Sequence, residues 1–152
     1  MPPMAKKDEQ RRLAVDLFNQ TWALMDKKKR TREEDDAMLH AAHASRHHWG
    51  RVGKQVNLAR GEWQVSRVYT VLKRAEPALY HARRCLEICR KHRIGDFDLA
   101  YAYEALARAS VLEKKKGDVE RWLKLARTAA ENIAEKEDRE FFQKDLATVQ
   151  KA

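Results

Sequence analysis

Glycine and proline are scarce in this chain of 152 residues, five and three respectively. So small a supply leaves no material for phosphate-cradling glycine loops, for repeated β-turns or for long flexible linkers. Cysteine is scarcer still. Cys85 and Cys89 stand four apart on one expected helix, and two thiols alone do not complete a zinc site, so they read as reduced thiols in or beside a core. No stretch approaches the ~18 uncharged apolar residues of a membrane span. Lys6 and Lys7 are followed by no apolar run of the secretory-signal kind. A cytoplasmic chain without a membrane partner is expected. The length excludes two full catalytic domains. Nucleophile elbows and the HExxH pattern are also missing; His40 and His43 approach the latter without matching it. No reaction is therefore assigned, and neither an enzyme nor a required cofactor is expected.

What is present is apolar and charged material in proportions suited to one folded, solvated domain spanning 1–152: 43% hydrophobic and 36% charged residues. Thirty-two Lys and Arg against 23 Asp and Glu leave a formal charge of +9. That balance favours acidic partners, nucleic acid among them, although acidic residues are interspersed through almost every segment. Apolar positions recur at three-to-four spacing, as in Leu13, Leu17 and Leu24, or Leu99, Leu106 and Leu112, which is the period of an amphipathic helix. Thr31 with Glu34 forms a capping-box pattern, Gly50 and Gly53 mark a helix end, and Pro77 suits a first turn. Gly95-Asp96 reads as a stop followed by an N-cap, and Gly117-Asp118 as a further break. The punctuation predicts helices over 5–27, 32–49, 55–72, 76–92, 97–114, 118–135 and 138–151, an all-α fold of antiparallel hairpins.

Self-comparison adds a period. An offset of 41 superposes Leu17, Leu58 and Leu99, then Leu24, Val65 and Leu106, then Met25, Ser66 and Ala107. In the following helices it superposes Ala37, Ala78 and Val119, then Ala41, Ala82 and Leu123, then Ala44, Cys85 and Ala126. Small residues at such spacing let the two helices of a hairpin approach closely and let the next hairpin stack on them. The units run over about 17–57, 58–98 and 99–137. Phe141, Phe142, Leu146 and Val149 in the final helix, 138–151, would cover the open end.

With Val65-Ser66-Arg67-Val68-Tyr69 followed by Ala78, Ala82, Cys85 and Leu86, the chain resembles the tetratricopeptide-repeat family over roughly 17–137. It departs in its 41-residue period, in lacking the family's helix-ending proline, and in holding Ala41, Ala82 and Leu123 where the family has an aromatic position. The resemblance implies three stacked hairpins in a right-handed superhelix, with ligands held in a concave groove lined by the first helix of each pair. Carried over position by position, that lining is Asn19, Trp22 and Asp26; Arg60, Trp63, Arg67 and Thr70; and Tyr101, Glu104, Arg108 and Val111. Arginine suits bidentate carboxylate recognition and tryptophan offers flat contact area, so a protein or acidic peptide segment is the expected ligand.

Two alternatives accompany the groove. Asp36, His40, His43 and His47 share one face of the second helix. That chemistry suits zinc or iron, or a pH-sensitive contact, though the repeat register places the stripe on an outer face. The basic runs Lys27-Lys28-Lys29-Arg30, Lys73-Arg74 and Lys114-Lys115-Lys116 fall in or beside the turns inside the three hairpins. Stacking would align them as an edge able to track a nucleic-acid backbone. A short array also exposes an end able to form a homodimer.

Overall fold

The computed structural model describes residues 3–149. Seven helices make up most of these residues, and no strand occurs among them: α1 (Pro3–Met25), α2 (Arg32–Val52), α3 (Gln55–Val71), α4 (Ala75–Lys91), α5 (Asp96–Leu112), α6 (Lys116–Ala130) and α7 (Lys136–Ala147). The strongest packing is within the pairs α1–α2, α3–α4 and α5–α6, the three expected hairpins. Successive hairpins meet through α2 on α3 and α4 on α5. The first helices of the pairs also adjoin, α3 beside α5 and α1 more slightly beside α3, while α7 closes against α5 and α6. Neighbouring pairs packed in this order are compatible with a helical repeat. No helix of the described residues is long and apolar enough to cross a membrane.

Local chemistry explains most boundaries. Thr31 Oγ1 accepts from the Glu34 amide at 3.1 Å and Glu34 Oε1 accepts from the Thr31 amide at 3.0 Å, completing the expected capping box. Helices α3, α4 and α5 end alike, on a non-glycine residue in the left-handed region: Lys73 (φ 63°), Arg93 (φ 55°) and Lys114 (φ 59°). The next amide folds back in each case: Arg74 onto Tyr69 O at 2.9 Å, Ile94 onto Cys89 O at 2.9 Å and Lys115 onto Ser110 O at 3.3 Å. These are the closing bonds of Schellman caps. Lys73 and Lys114 stand 41 apart, so the repeat extends into its turns.

Several boundaries differ from expectation. Gly50 does not end α2, which runs on to Val52 with Gly53 as its C-cap; a mid-helix glycine costs only ~1 kcal/mol, which the packing of α2 on both neighbours offsets. Gly117 lies inside α6 rather than before it. Gly95, not Asp96, is the cap of α5. Asp96 takes φ 52°, and its carboxylate accepts from the Phe97 amide at 2.8 Å and the Ala134 amide at 2.9 Å, tying α5 to the connection before α7. The last helix starts two residues earlier than expected and ends at Ala147; residues 150–151 of the expected helix lie outside the described residues.

The repeat positions Ala41, Ala82 and Leu123 are all buried, as are Ala78, Cys85 and Ala126, whereas Ala37 is exposed. Ser66 Oγ donates to Ala78 O at 2.7 Å, a close approach that a larger side chain would prevent. The core forms two clusters. The large one runs continuously from Ala59 through α4, α5 and α6 to Phe142 and Leu146 of α7 and to Val149 just beyond it. A small one, Met38, Ala42, Val65 and Val68, joins the first hairpin to the second. Both cysteines are buried free thiols within the large cluster.

Candidate ligand-binding cavity

The expected lining residues form rows at the repeat spacing, because 41 residues return each position to the same face of the next first helix. Trp22, Trp63 and Glu104 make one row: the two indole rings lie 5.6 Å apart, and Trp63 Nε1 donates to Glu104 Oε1 at 3.2 Å. Asn19, Arg60 and Tyr101 make a second, and Asp26, Arg67 and Arg108 a third. Between α1, α3, α5 and α7 these rows border a cavity of about 500 Å3. Its aromatic walls are Phe18, Trp22, Trp63, Phe97, Tyr101 and Phe141; Ala59 and Cys85 contribute further apolar surface, and Asp26, Arg60, Asp98 and Asp145 the charges. Tyr101 meets Trp63 edge-on at 5.4 Å and Phe142 at 4.8 Å, so the walls brace one another.

Of the sequence-predicted groove residues, Trp22, Asp26, Arg60, Trp63 and Tyr101 line this cavity. Asn19 is exposed and does not reach it. Thr70 is buried, its hydroxyl donating to Arg67 O at 2.7 Å, and Val111 packs against the large core cluster. Arg67, Glu104 and Arg108 form an ionic cluster of their own. Arg108 Nε donates to Glu104 Oε2 at 2.8 Å, Arg67 Nη1 stands 3.7 Å from the same oxygen, and Arg108 Nη2 reaches Asp145 O at 3.1 Å and Thr148 Oγ1 at 2.9 Å. Burial and the neighbouring Arg108 lower the Arg67 guanidinium from its ordinary value, against the pull of Glu104 and Asp145. Arg60 is held bidentately by Asp98 at 2.9 and 3.0 Å, a bond that raises its pKa. All three arginines expected to meet an acidic ligand are therefore occupied by carboxylates of the chain itself. Tyr101 donates its hydroxyl to Asp145 Oδ2 at 2.6 Å, and burial, followed by that hydrogen bond, pushes the phenol upward.

Sequence reasoning missed Phe18, Phe97, Asp98, Phe141 and Asp145. Phe141 and Asp145 belong to α7, one step around from the stripe of Phe142 and Leu146 that explains α7 as a cap. That an additional face of the cap carried an aromatic and an acid four apart was the available signal.

The histidine stripe divides. Asp36, His40 and His47 are exposed, and among the described residues no group of three or more His, Cys, Asp or Glu side chains is placed to hold a metal ion. His43 leaves the outer face expected of it: its Nε2 lies 2.8 Å from Tyr69 Oη and its ring 5.4 Å from that of His81. The cause is α4, which brings His81 over the α2–α3 seam. Although much of His43 remains exposed, desolvation first and His81 second lower its imidazole pKa. Beside it is an unforeseen triad. Buried Glu62 accepts from Arg46 Nε at 2.8 Å and pairs with His81 Nδ1 at 3.0 Å. Burial raises the Glu62 carboxyl, and His81 and Arg46 more than offset it, leaving a net lowering. Gly61 makes room: a Cβ there would lie 2.8 Å from Arg46 Cδ.

The basic runs do fall at the hairpin turns, where several charges are engaged locally. Lys27 pairs with Glu34, Arg30 with Asp35 at 2.7 Å, and Lys115 with Glu113 at 3.6 Å. Compared with protein-family models, curated proteins and solved structures, the chain matches none.

Proposed function

We propose that the chain is a non-catalytic scaffold that binds a protein or peptide segment, in a cytoplasmic setting, by seating part of it in the cavity between α1, α3, α5 and α7. The observation that carries this reading is the cavity itself: about 500 Å3, walled by six aromatic side chains and edged by a few charges, the size and composition of sites that hold ligands. The tetratricopeptide-like order of the hairpins supports it, since in that family the first helices line the binding surface. Trp22 and Trp63 supply rigid contact area with little side-chain entropy to lose. Arg60, with Asp98, fixes one edge and Tyr101 with Asp145 another.

Panning a displayed peptide library against the full chain tests the proposal. Selected peptides are expected to bind wild type and to lose at least about thirtyfold in affinity with Trp22→Ala, the loss typical of an aromatic anchor. Circular dichroism should show the variant folded. Peptides that bind both proteins equally, or a library that yields none, would overturn the assignment.

A further inference from the structure

The charges around the cavity do not match the sign of the whole chain. The protein carries +9, yet the cavity wall holds Asp26, Asp98 and Asp145 against a single cation, Arg60. Asp98 neutralises that guanidinium. Neither Asp26 nor Asp145 has a salt-bridge partner among the described residues. Asp145 receives only the Tyr101 hydroxyl on Oδ2, and its other carboxylate oxygen has no hydrogen-bond partner there. Behind the wall Glu104, reached through Trp63, carries one charge against the two of Arg108 and Arg67, and Asp145 also attracts Arg67. Four carboxylates, Asp26, Asp98, Asp145 and Glu104, against three guanidinium groups, Arg60, Arg67 and Arg108, leave one negative charge in excess around a recess whose surface is mainly aromatic.

Resting on the peptide-binding reading above, we infer that the cavity takes an alkylammonium group, the side chain of a lysine or, better, a methylated lysine presented by the bound segment. A cation within about 6 Å of an aromatic centroid is drawn to the negative face of the ring, and several rings surrounding a quaternary ammonium form a cage for it. The chain already uses this attraction at the cavity wall, where the Arg60 guanidinium carbon lies 5.1 Å from the centroid of Phe97. An anionic side chain would meet Asp26 and Asp145 with like charge, while the one arginine of the wall is already paired with Asp98. A neutral apolar chain would fill the recess but leave Asp26 without a counter-charge at the wall. Methylation suits the site further, since trimethylammonium needs no acceptors and buries methyl groups against Trp22, Trp63 and Tyr101.

The test uses the full chain and four pentapeptides, acetyl-Gly-Gly-X-Gly-Gly-amide, with X trimethyllysine, lysine, norleucine or glutamate. Binding is read from the indole N–H resonances assigned to Trp22 and Trp63, with Trp49 and Trp122 as internal controls. Trimethyllysine should shift the first pair with the highest affinity, lysine should follow, and norleucine and glutamate should fall at least about tenfold behind. Asp26→Asn removes one exposed charge without disturbing any hydrogen bond among the described residues, and should weaken the trimethyllysine peptide about threefold to tenfold while leaving norleucine unchanged. If norleucine or glutamate shifts Trp22 and Trp63 as strongly, the cavity remains a peptide site and the cation assignment fails alone. If no peptide shifts them, or only Trp49 and Trp122 respond, the cation assignment is overturned. The library panning against Trp22→Ala then decides separately whether the peptide reading survives.

Discussion

The seam between the first and second hairpins differs from that between the second and third, although the same 41-residue offset in sequence relates the hairpins on either side. At the second seam Ala82, Cys85, Leu86 and Cys89 of α4 belong to the same large continuous core as an α5 rich in buried alanine. At the first, the fully buried apolar cluster shrinks to Met38, Ala42, Val65 and Val68, with Leu24, Met25 and Leu39 only partly buried against it. Much of the junction is polar: Arg46 and His81 on Glu62, His43 on Tyr69, and Gln64 Nε2 donating to Phe18 O at 3.0 Å with Gln64 Oε1 left buried and unpartnered. The helix order is compatible with a repeat, while each seam keeps its own chemistry. A polar seam depends on every partner being present, because a buried group that loses its counterpart keeps its desolvation cost. An apolar seam degrades in proportion to what is removed.

The largest expected effect comes from matched truncations. Leu106→Ala and Met38→Ala each delete a fully buried side chain and should each cost about 2–5 kcal/mol. Their reach should differ. Hydrogen exchange is expected to show lost protection from α3 through α7 for Leu106→Ala, but only in α1 and α2 for Met38→Ala. Equal spread would mean that the seams are energetically alike.

Glu62→Gln comes next, at about 1–3 kcal/mol in denaturant unfolding, below the full cost of breaking a buried pair because Arg46 is partly exposed. Its pH signature is more telling. The Glu62 carboxyl is lowered from 4.5 in the fold, so its stabilisation is present above pH 4.5 and is lost as pH falls through the folded value. His43 adds a slope at higher pH: lowered from 6.5 in the fold, it binds its proton more readily when unfolded, so stability declines as pH falls below 6.5. Hence acidification should open the first hairpin before the others. Glu62→Gln should flatten the lower part of that dependence and His43→Gln the upper part.

The smallest effect concerns what the two repeats share. Lys73 and Lys114 hold the same left-handed cap at φ 63° and 59°, a conformation glycine adopts without strain. Lys73→Gly and Lys114→Gly are each expected to stabilise by about 0.5–1 kcal/mol, read as a rise in Tm. A gain at one position only would show that the two turns are not equivalent.

The legible part of this molecule was its periodic part. The positions of α1 to α6, the Thr31 capping box and the buried row of Ala41, Ala82 and Leu123 all followed from spacing, since spacing decides which face of a helix is covered. Trp22, Trp63 and Tyr101, which the tetratricopeptide resemblance pointed to, line the cavity. What could not be read was set by contacts distant in sequence. Asp98 claims Arg60 from 38 residues away, Asp145 holds Tyr101 from 44, and Glu62 draws Arg46 and His81 together from two other helices. No local pattern announces that an arginine has already found its carboxylate. Gly50 and Gly117 misled for a related reason, because packing retained the helix that propensity would have broken.

Helix α7 completes the cavity with Phe141 and Asp145, yet among the described residues it is the shortest helix, twelve residues, and packs only on α5 and α6. Elements held by so few neighbours detach more often than the body they cover. A bound side chain would leave when that wall swings away, so its dwell time should follow the detachment rate of α7. Changes on the α5–α6 face of α7 should then alter how quickly a complex exchanges while leaving the aromatic walls that recognise it in place.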